Sequence, residues 1–322
     1  MNLTLFVVGM LVVSAAFGDL HGEQQTIKTD DGYRLAYEKV GRGPDPVMVP
    51  ARLFLAEPLR GLWSRQRTIV FYDMRDRGRS ESIQDLSKIS VENDVRDLEA
   101  VRRHFKFERV SIVGYSYLGL VAALYAMEHP EHVERVVQLG PIPLKYGTSY
   151  PSDLDNTNDR SVFDETKWER LQRLEKSGDI ERHPREFCET DWDFLRVMLV
   201  AHPPTHLESV KSPCEMPNEW PIHLRPHSRA LFSGSIAKLD VSRNELASRV
   251  TMPVLIIHGV KDRNAPYGAG REWARLLPNA RLITLENAAH NSWADERDLV
   301  IGAGRTFLAG SWPGAARRVT AN

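Results

Sequence analysis

Three residues whose side chains can share one proton-transfer chain occur in the order Ser, Asp, His. The first, Ser116, follows the apolar run 110–113 and precedes the apolar run 120–127. A serine at a strand-to-helix turn has its hydroxyl exposed at the edge of a sheet, and the first N–H groups of the following helix are free to stabilise an oxyanion. This placement predicts that Ser116 is a nucleophile.

The other two residues follow apolar strands further along the chain. Asp262 closes a glycine turn after the run 254–257, and His290 closes a short loop after the run 282–285. Both therefore lie beyond strand ends, at the edge of a parallel sheet where ligands bind. We predict that His290 takes the proton of Ser116 and that Asp262 fixes the tautomer of the imidazole.

Each of these residues also has a simpler interpretation, as a turn serine, a capping aspartate or a solvated histidine. Only their common position at three strand ends favours catalysis. His258 is the alternative base, but it belongs to the turn of the acid and is better explained as a strand-end residue. Asp73 and Asp76 are interpreted as structural partners of the arginines beside them.

The segments that must position these residues alternate between strand and helix patterns. Apolar and β-branched runs predict strands, and apolar residues at steps of three and four predict helices. The predicted strands are 26–28, 33–37, 46–49, 68–72, 110–113, 136–139, 254–257 and 282–285, and the predicted helices are 90–105, 120–127, 271–277 and 295–308. This alternation predicts an α/β fold with a mostly parallel sheet covered by helices on both faces.

The alternation stops between residues 142 and 249. This segment is too long for a simple loop, and its helical stretches, prolines and tryptophans predict an inserted helical cap. The core would then comprise residues 19–141 and 250–312, and residues 313–322 would form an uncovered, mobile tail.

The N-terminus has the pattern of an export signal. Residues 2–18 carry no charge, and their apolar run is shorter than the ~20 residues of a membrane span. Ala16-Phe17-Gly18 fits a small-x-small cleavage site, so residues 1–18 are predicted to be a signal peptide and the protein to be periplasmic or secreted, with no membrane span after removal of the signal. An uncleaved N-terminal anchor is the alternative.

Export would place the two cysteines, Cys188 and Cys214, in an oxidising compartment, where such a pair can be joined. Two unpaired buried thiols are the alternative, because the sequence does not give the distance between them. Neither cysteine has the neighbours of a zinc site, and no metal or other cofactor is expected.

Composition narrows the class of partner. The 322 residues have a net charge of −1, with 42% hydrophobic and 26% charged residues. This balance is typical of a globular protein with a sizeable core. It lacks the excess of basic residues that is usual in a dedicated nucleic-acid-binding protein, and so argues against that class. A small molecule or a short peptide is the expected partner.

The chain resembles the α/β-hydrolase superfamily with a cap domain, over nearly its whole length after the signal. The resemblance rests on four segments, which are 72–80, the elbow 114–119, the acid turn 259–262 and the histidine loop 288–290. It implies an α/β-hydrolase fold and hydrolysis of an ester or amide bond through an acyl-enzyme.

Within the superfamily, the chain is weakly similar to proline-iminopeptidase-type hydrolases. The similarity rests on the long helical cap and its acidic loop 214–221. It implies that Glu215 or Glu219 pairs with the α-ammonium of a peptide substrate. Solvated loop charges are the alternative for these two residues.

The chain departs from the family pattern at two places. Leu118 stands in the elbow where a small residue is usual, and the segment 50–54 replaces the usual His-Gly sequence after the third strand. The oxyanion site uses main-chain donors, so the N–H group of Arg52 or Leu53 is expected to pair with that of Tyr117. A small-ester carboxylesterase and a non-catalytic ligand-binding homologue remain alternative functions.

Overall fold

The computed structural model describes residues 25–320, which form a mostly parallel sheet of eight strands. The order across the sheet is β1-β2-β4-β3-β5-β6-β7-β8, with β1 and β2 antiparallel to their neighbours and the remaining pairs parallel. The strands are β1 (Thr26–Lys28), β2 (Arg34–Val40), β3 (Asp45–Pro50), β4 (Arg67–Tyr72), β5 (Val110–Tyr115), β6 (Val133–Leu139), β7 (Val254–Gly259) and β8 (Ala280–Leu285).

Helices cover both faces of this sheet, as the alternation predicts. The α-helices are α1 (Arg52–Leu59), α2 (Val91–His104), α3 (Tyr117–Glu128), α4 (Glu165–Lys176), α5 (Asp179–Arg182), α6 (Pro184–Leu195), α7 (Pro203–His206), α8 (Pro221–Ser228), α9 (Arg243–Arg249), α10 (Tyr267–Leu276), α11 (Ser292–Asp295) and α12 (Arg297–Leu308). Short 3₁₀ turns and one π-helical segment, Arg229–Ser235, connect some of them. The predicted α/β-hydrolase fold class is confirmed.

Alternate residues of the central strands point to two separate cores. In β4, Val70 packs with α2 and α3, whereas Ile69 and Phe71 pack with α1 and α12. Every residue of β4 is buried. This is why residues 69–72 of the strand are a continuous apolar run rather than an alternating one, since both faces of the strand are covered.

The segment 142–249 leaves the sheet after β6 and returns to it at β7. The structure has the six helices α4 to α9 in this insertion and no strand among its residues, all of which are described. A disulfide joins Cys188 of α6 to Cys214, which resolves the alternative left open by the sequence. The bridge fixes α6 to the loop that precedes α8.

The segment that departs from the family pattern after β3 is helical, because α1 begins directly at Arg52. One expectation needs correction. The described part of the tail is covered, not free, since Arg317 exchanges two backbone hydrogen bonds with Leu282 of the edge strand β8, at 2.8 and 2.9 Å, and Ala316 is buried. An edge strand has unpaired N–H and C=O groups, and these bind the tail.

The predicted signal peptide, residues 1–18, lies outside the described residues. Within residues 25–320, no helix is long and apolar enough to span a membrane.

Candidate active site

Ser116 occupies a tight turn between β5 and α3. Its backbone has φ 54° and ψ −124°, a conformation that is strained for any residue except glycine. The Ser116 N–H donates to Leu139 O at 2.9 Å, which fixes the turn against β6. The turn is also crowded, since a Cβ atom on Gly114 would lie 2.2 Å from Leu118 O. Gly114 is therefore required for the elbow to close.

The unusual residue of the elbow, Leu118, is buried in the core that contains α2 and α3. The close approach to the next strand is made by Gly119 instead, where an added Cβ atom would lie 3.1 Å from Pro141 Cβ. The larger side chain at position 118 is thus accommodated by shifting the small residue by one position.

Asp262 is fully buried at the end of β7, and four groups donate hydrogen bonds to its carboxylate. The N–H groups of Asn264 and Ala265 each lie 2.8 Å from Oδ1, while His290 Nδ1 and His258 Nε2 lie 2.7 and 3.2 Å from Oδ2. Burial alone would raise the pKa of Asp262. The electrostatic interaction with His290 and the hydrogen bonds from both histidines outweigh it and hold the pKa well below its usual range.

His290 is oriented by this carboxylate. Because Nδ1 donates to Asp262, the neutral ring has its lone pair on Nε2, which is buried and has no hydrogen-bond partner among the described residues. Tyr115 packs against the ring with centroids 4.7 Å apart. An imidazole held in this way can accept a proton at Nε2.

His258, the alternative base, is also fully buried. Its Nε2 lies 3.2 Å from both Asp262 Oδ2 and Ala265 O, so this nitrogen carries the proton and points into the turn of the acid. His258 does not line the cavity described next. The structure therefore places it behind the acid, as a strand-end residue.

Ser116 and His290 line one cavity of about 350 Å³ between the sheet edge and the insertion. Most of its wall is apolar or aromatic, and the insertion contributes several of these side chains, including Trp192, Leu199 and Phe232. Exposed Glu57 and Lys211 also line it. A mainly apolar cavity with a few convergent polar groups is typical of a small-molecule site.

The structure distinguishes between the two expected oxyanion donors of the first helix. The N–H of Leu53 donates to Asp73 Oδ1 at 2.7 Å and is therefore occupied. The N–H groups of Arg52 and Tyr117 each belong to the first residue of a helix, where there is no intrahelical acceptor. Arg52 and Tyr117 are thus the pair of main-chain donors that the geometry leaves available.

The sequence did not reveal how Asp73 organises this region. Its Oδ2 accepts from Arg52 Nε and Nη2 at 3.0 and 2.7 Å, and the N–H of Arg79 lies 3.1 Å from the same atom. Asp73 thus has an arginine partner, as expected. The charge of Asp76 also acts on Arg77 and raises its pKa, while its carboxylate accepts from Ile83 N–H and lies 2.9 Å from His227 Nδ1 of the insertion.

Neither candidate for binding an α-ammonium group presents a free carboxylate in the cavity. Glu215 is exposed, pairs with Arg185 and does not line the cavity. Glu219 lines it but is bound bidentately by Arg77, at 3.0 and 2.6 Å, and by the N–H of Gly78 at 2.8 Å. Burial would raise the pKa of Glu219, but Arg77 outweighs it and lowers the pKa.

Comparison with known proteins identifies the family. The family model described as the alpha/beta hydrolase fold matches residues 52–296, well over half of the chain. The chain is an α/β-hydrolase. This result confirms the resemblance inferred from the elbow and the two downstream turns.

Curated relatives of this α/β-hydrolase are hydrolases with different substrates. The chain is 25% identical to human serine hydrolase BPHL over 83% of this chain and 81% of that protein. It is 27% identical to pimeloyl-[acyl-carrier protein] methyl ester esterase of Chromobacterium violaceum, over 83% and 95% of the two chains. Proline iminopeptidase of Saccharolobus solfataricus is 22% identical over 78% and 79%. The weak similarity to proline iminopeptidases is therefore confirmed.

Among solved structures, the α/β-hydrolase superposes on the esterase RhEst1 from Rhodococcus sp. ECU1013 with a TM-score of 0.66, at 20% identity, over 89% of this chain and 98% of that one. The fold and the relatives establish a hydrolase. Within residues 25–320, no group of three or more His, Cys, Asp or Glu side chains could hold a metal ion.

Proposed function

We propose that this α/β-hydrolase is a serine esterase for small carboxylic esters, with Ser116 as nucleophile, His290 as base and Asp262 as the orienting acid. One observation carries the proposal. The Asp262–His290 hydrogen bond leaves the buried Nε2 of His290 without a partner, beside a cavity that Ser116 also lines.

The reaction follows from this arrangement. Ser116 Oγ attacks the carbonyl carbon as His290 Nε2 takes its proton, and the N–H groups of Arg52 and Tyr117 stabilise the oxyanion. His290 then protonates the departing alkoxide, which leaves as an alcohol and gives the acyl-enzyme. Water attacks the acyl carbon in the same way, which releases the acid and returns the proton to Ser116.

The wall of the cavity favours an ester over a peptide with a free N-terminus. An α-ammonium group needs a carboxylate that is not already compensated. Glu215 lies outside the cavity, and Glu219 is neutralised by Arg77. Glu57 also lines the cavity but is exposed to solvent, where an ion pair contributes little. Because most of the wall is apolar, an uncharged acyl group is the better fit.

An aminopeptidase of the proline-iminopeptidase type is the second candidate, favoured by the similarity to the Saccharolobus enzyme. Exposed Glu57 at the cavity is the carboxylate that such a substrate would then require. A ligand-binding homologue without turnover is the third candidate.

We also propose that the protein acts outside the cytoplasm. The apolar N-terminal sequence and the Cys188–Cys214 disulfide support export, because disulfides persist in oxidising compartments. Fractionation of cells and N-terminal sequencing of the exported protein would test this, and an intact N-terminus in the cytoplasm would contradict it.

The function is tested with a fluorophosphonate probe and two matched chromogenic substrates. We expect the probe to label Ser116 in the wild type and no residue in Ser116→Ala, as located by mass spectrometry. We further expect turnover of p-nitrophenyl butyrate to exceed that of prolyl p-nitroanilide by at least about tenfold, since only the ester matches the apolar wall.

The other results point to the remaining candidates. Preference for the anilide, abolished by Glu57→Gln, would replace the esterase by an aminopeptidase. A folded wild type that is neither labelled nor active on either substrate would indicate a binding protein.

A further inference from the structure

The buried carboxylate of Asp295 lies directly behind the histidine loop. Its side chain is fully buried, and it terminates α11. Oδ2 accepts the N–H of Ala289 at 2.9 Å, immediately before His290. The remaining donors come from the insertion, where the N–H of Ala201 lies 3.1 and 3.0 Å from the two oxygens and His206 Nδ1 lies 2.6 Å from Oδ1.

The residue that follows His290 in the chain is bound to the same part of the insertion. The N–H of Asn291 donates to Leu199 O at 2.7 Å, and the side chain of Asn291 accepts from Tyr115 Oη at 2.6 Å. The backbone on both sides of His290 therefore contacts the segment 199–206, once directly and once through Asp295. This segment also reaches the turn of the acid, where Arg263 Nη1 donates to Val200 O at 3.4 Å.

We propose that Asp295 is a positioning residue that couples the insertion to the base, so that His290 is correctly placed only while segment 199–206 is docked. Asp295 touches no reacting atom and acts through the backbone of Ala289. The inference rests on the proposed function of His290 as the base.

The physical reason lies in the geometry that proton transfer demands. A general base must lie within hydrogen-bond reach of the proton it takes, and a displacement of about 1 Å can cost about 100-fold in rate. Asp295 supplies acceptors to donors from two separate parts of the chain. Without it, the N–H groups of Ala289 and Ala201 would be buried and unpaired, which favours their separation.

His206 provides the most selective test, because it lines no part of the cavity and binds Asp295 at Oδ1, whereas Ala289 binds Oδ2. We expect His206→Ala to lower kcat on p-nitrophenyl butyrate by about three- to tenfold, with KM changed by less than about twofold. His206→Asn should restore most of the loss, because its amide N–H can replace Nδ1. His223→Ala, at an exposed histidine of α8, is the matched control and should match the wild type.

Asp295→Asn should have the larger effect, about 10- to 100-fold on kcat, because an amide N–H then faces backbone donors. The acidic limb of the pH–kcat/KM profile, which reports the base, should also shift in both variants. Thermal unfolding of each variant is measured alongside, and a drop in Tm with unchanged kcat and an unchanged pH profile would overturn the coupling.

A proton NMR measurement tests the coupling through Asp295 independently of the proposed esterase function. We expect the proton between His290 Nδ1 and Asp262, in a hydrogen bond of 2.7 Å, to give a strongly deshielded signal that shifts or broadens in His206→Ala and recovers in His206→Asn. If the wild type lacks esterase activity, the proposed function fails while this signal still decides the coupling. An active wild type whose His206→Ala variant keeps both its kcat and this signal would overturn the coupling alone.

Discussion

The sheet edge and the insertion meet at one cavity, but they are held together by different kinds of contact. At the sheet edge, Ser116, Asp262 and His290 are positioned by strands whose apolar runs are buried on both faces. The insertion has few fully buried apolar side chains. Some of its residues, such as Leu231 and Leu246, join the core that contains α2 and α3, and polar pairs such as Arg77 with Glu219 add to this contact.

The difference separates two parts of the function. The sheet edge provides the proposed reaction chemistry, because strand ends bring Ser116 and His290 to one cavity and join His290 to Asp262 by a hydrogen bond. The insertion provides much of the apolar wall and therefore influences which molecule fits. Changes at the edge should alter the rate of the chemical step. Changes in the insertion outside segment 199–206 should first alter the stability of the insertion and the substrate preference.

The largest effect is expected at the sheet edge. Asp262→Asn should lower kcat by about 10³- to 10⁴-fold, because an amide cannot hold His290 in the tautomer with Nε2 free. The fold should persist, which circular dichroism and thermal unfolding would show. Esterase activity within tenfold of the wild type would exclude Asp262 as the orienting acid.

The next effect concerns the insertion. Replacing both Cys188 and Cys214 by serine opens a loop spanning a sequence separation of 26, and bridges of this span contribute about 3 kcal/mol. We expect faster amide hydrogen exchange in α6 and the loop at 214–220, with the strands of the sheet unaffected. An equal loss of protection from hydrogen exchange in β5 and β7 would show that the insertion and the sheet unfold as one unit. It would contradict the distinction drawn between the two regions.

A smaller effect is expected from a buried carboxyl group in the otherwise apolar core. Asp94 of α2 is buried, and Tyr117 Oη donates to its Oδ2 at 2.6 Å. Burial and the nearby carboxylate of Asp97 raise the pKa of Asp94, and the hydrogen bond from Tyr117 and the charges of Arg75 and Arg77 lower it, which together leave a pKa of about 7.

The sign of the pH dependence follows. Between about pH 4 and pH 7 the folded protein holds a proton on Asp94 that the unfolded chain has lost, so the contribution of Asp94 to stability falls as pH rises through this window. Asp94→Asn should therefore raise Tm more at pH 8 than at pH 5. Asp240→Asn, at an exposed position, is the control, and an equal change in Tm at both pH values for Asp94→Asn would contradict the prediction.

The smallest effect is expected at the start of α1. Ala51 has φ 67°, in the left-handed region, where an alanine costs about 1–2 kcal/mol. Ala51→Gly removes this strain but makes the unfolded chain more flexible, which offsets about 0.4–1 kcal/mol. A net gain of under about 1 kcal/mol should raise Tm by about 1–3 °C.

The matched control for this change is Ala56→Gly within the same helix, where no strain is relieved and the stability should fall by about 1 kcal/mol. Equal loss of stability in Ala51→Gly would show that the left-handed alanine is not strained in its setting.

The sequence predicted the elements of the sheet edge because their signals are local. The strand runs and the elbow glycine each act within a few residues, so the pattern of residues alone was enough to place the ends of β5, β7 and β8 together. The occupied N–H of Leu53 could not be predicted, because it depends on Asp73, which lies 20 residues further along the chain.

The ion pairs of the cavity wall were even harder to predict from the sequence. The partner of Glu219 is Arg77, 142 residues away, and an acidic loop gives no local sign of such a partner. The same holds for Asp295, whose donors lie 6, 94 and 89 residues away. A carboxylate in a sequence reports a charge, and only the fold reports whether that charge is already neutralised.

The two backbone hydrogen bonds between Arg317 and Leu282 have a consequence that does not concern the proposed reaction. Strand β8 lies at the outer edge of the sheet, where an uncovered backbone is a template for a strand from another molecule. The C-terminal segment pairs with β8 at this edge and so occupies the position that a strand of another molecule would take. Shortening the chain to residue 312 should therefore leave the cavity intact yet promote self-association through the uncovered strand at high concentration.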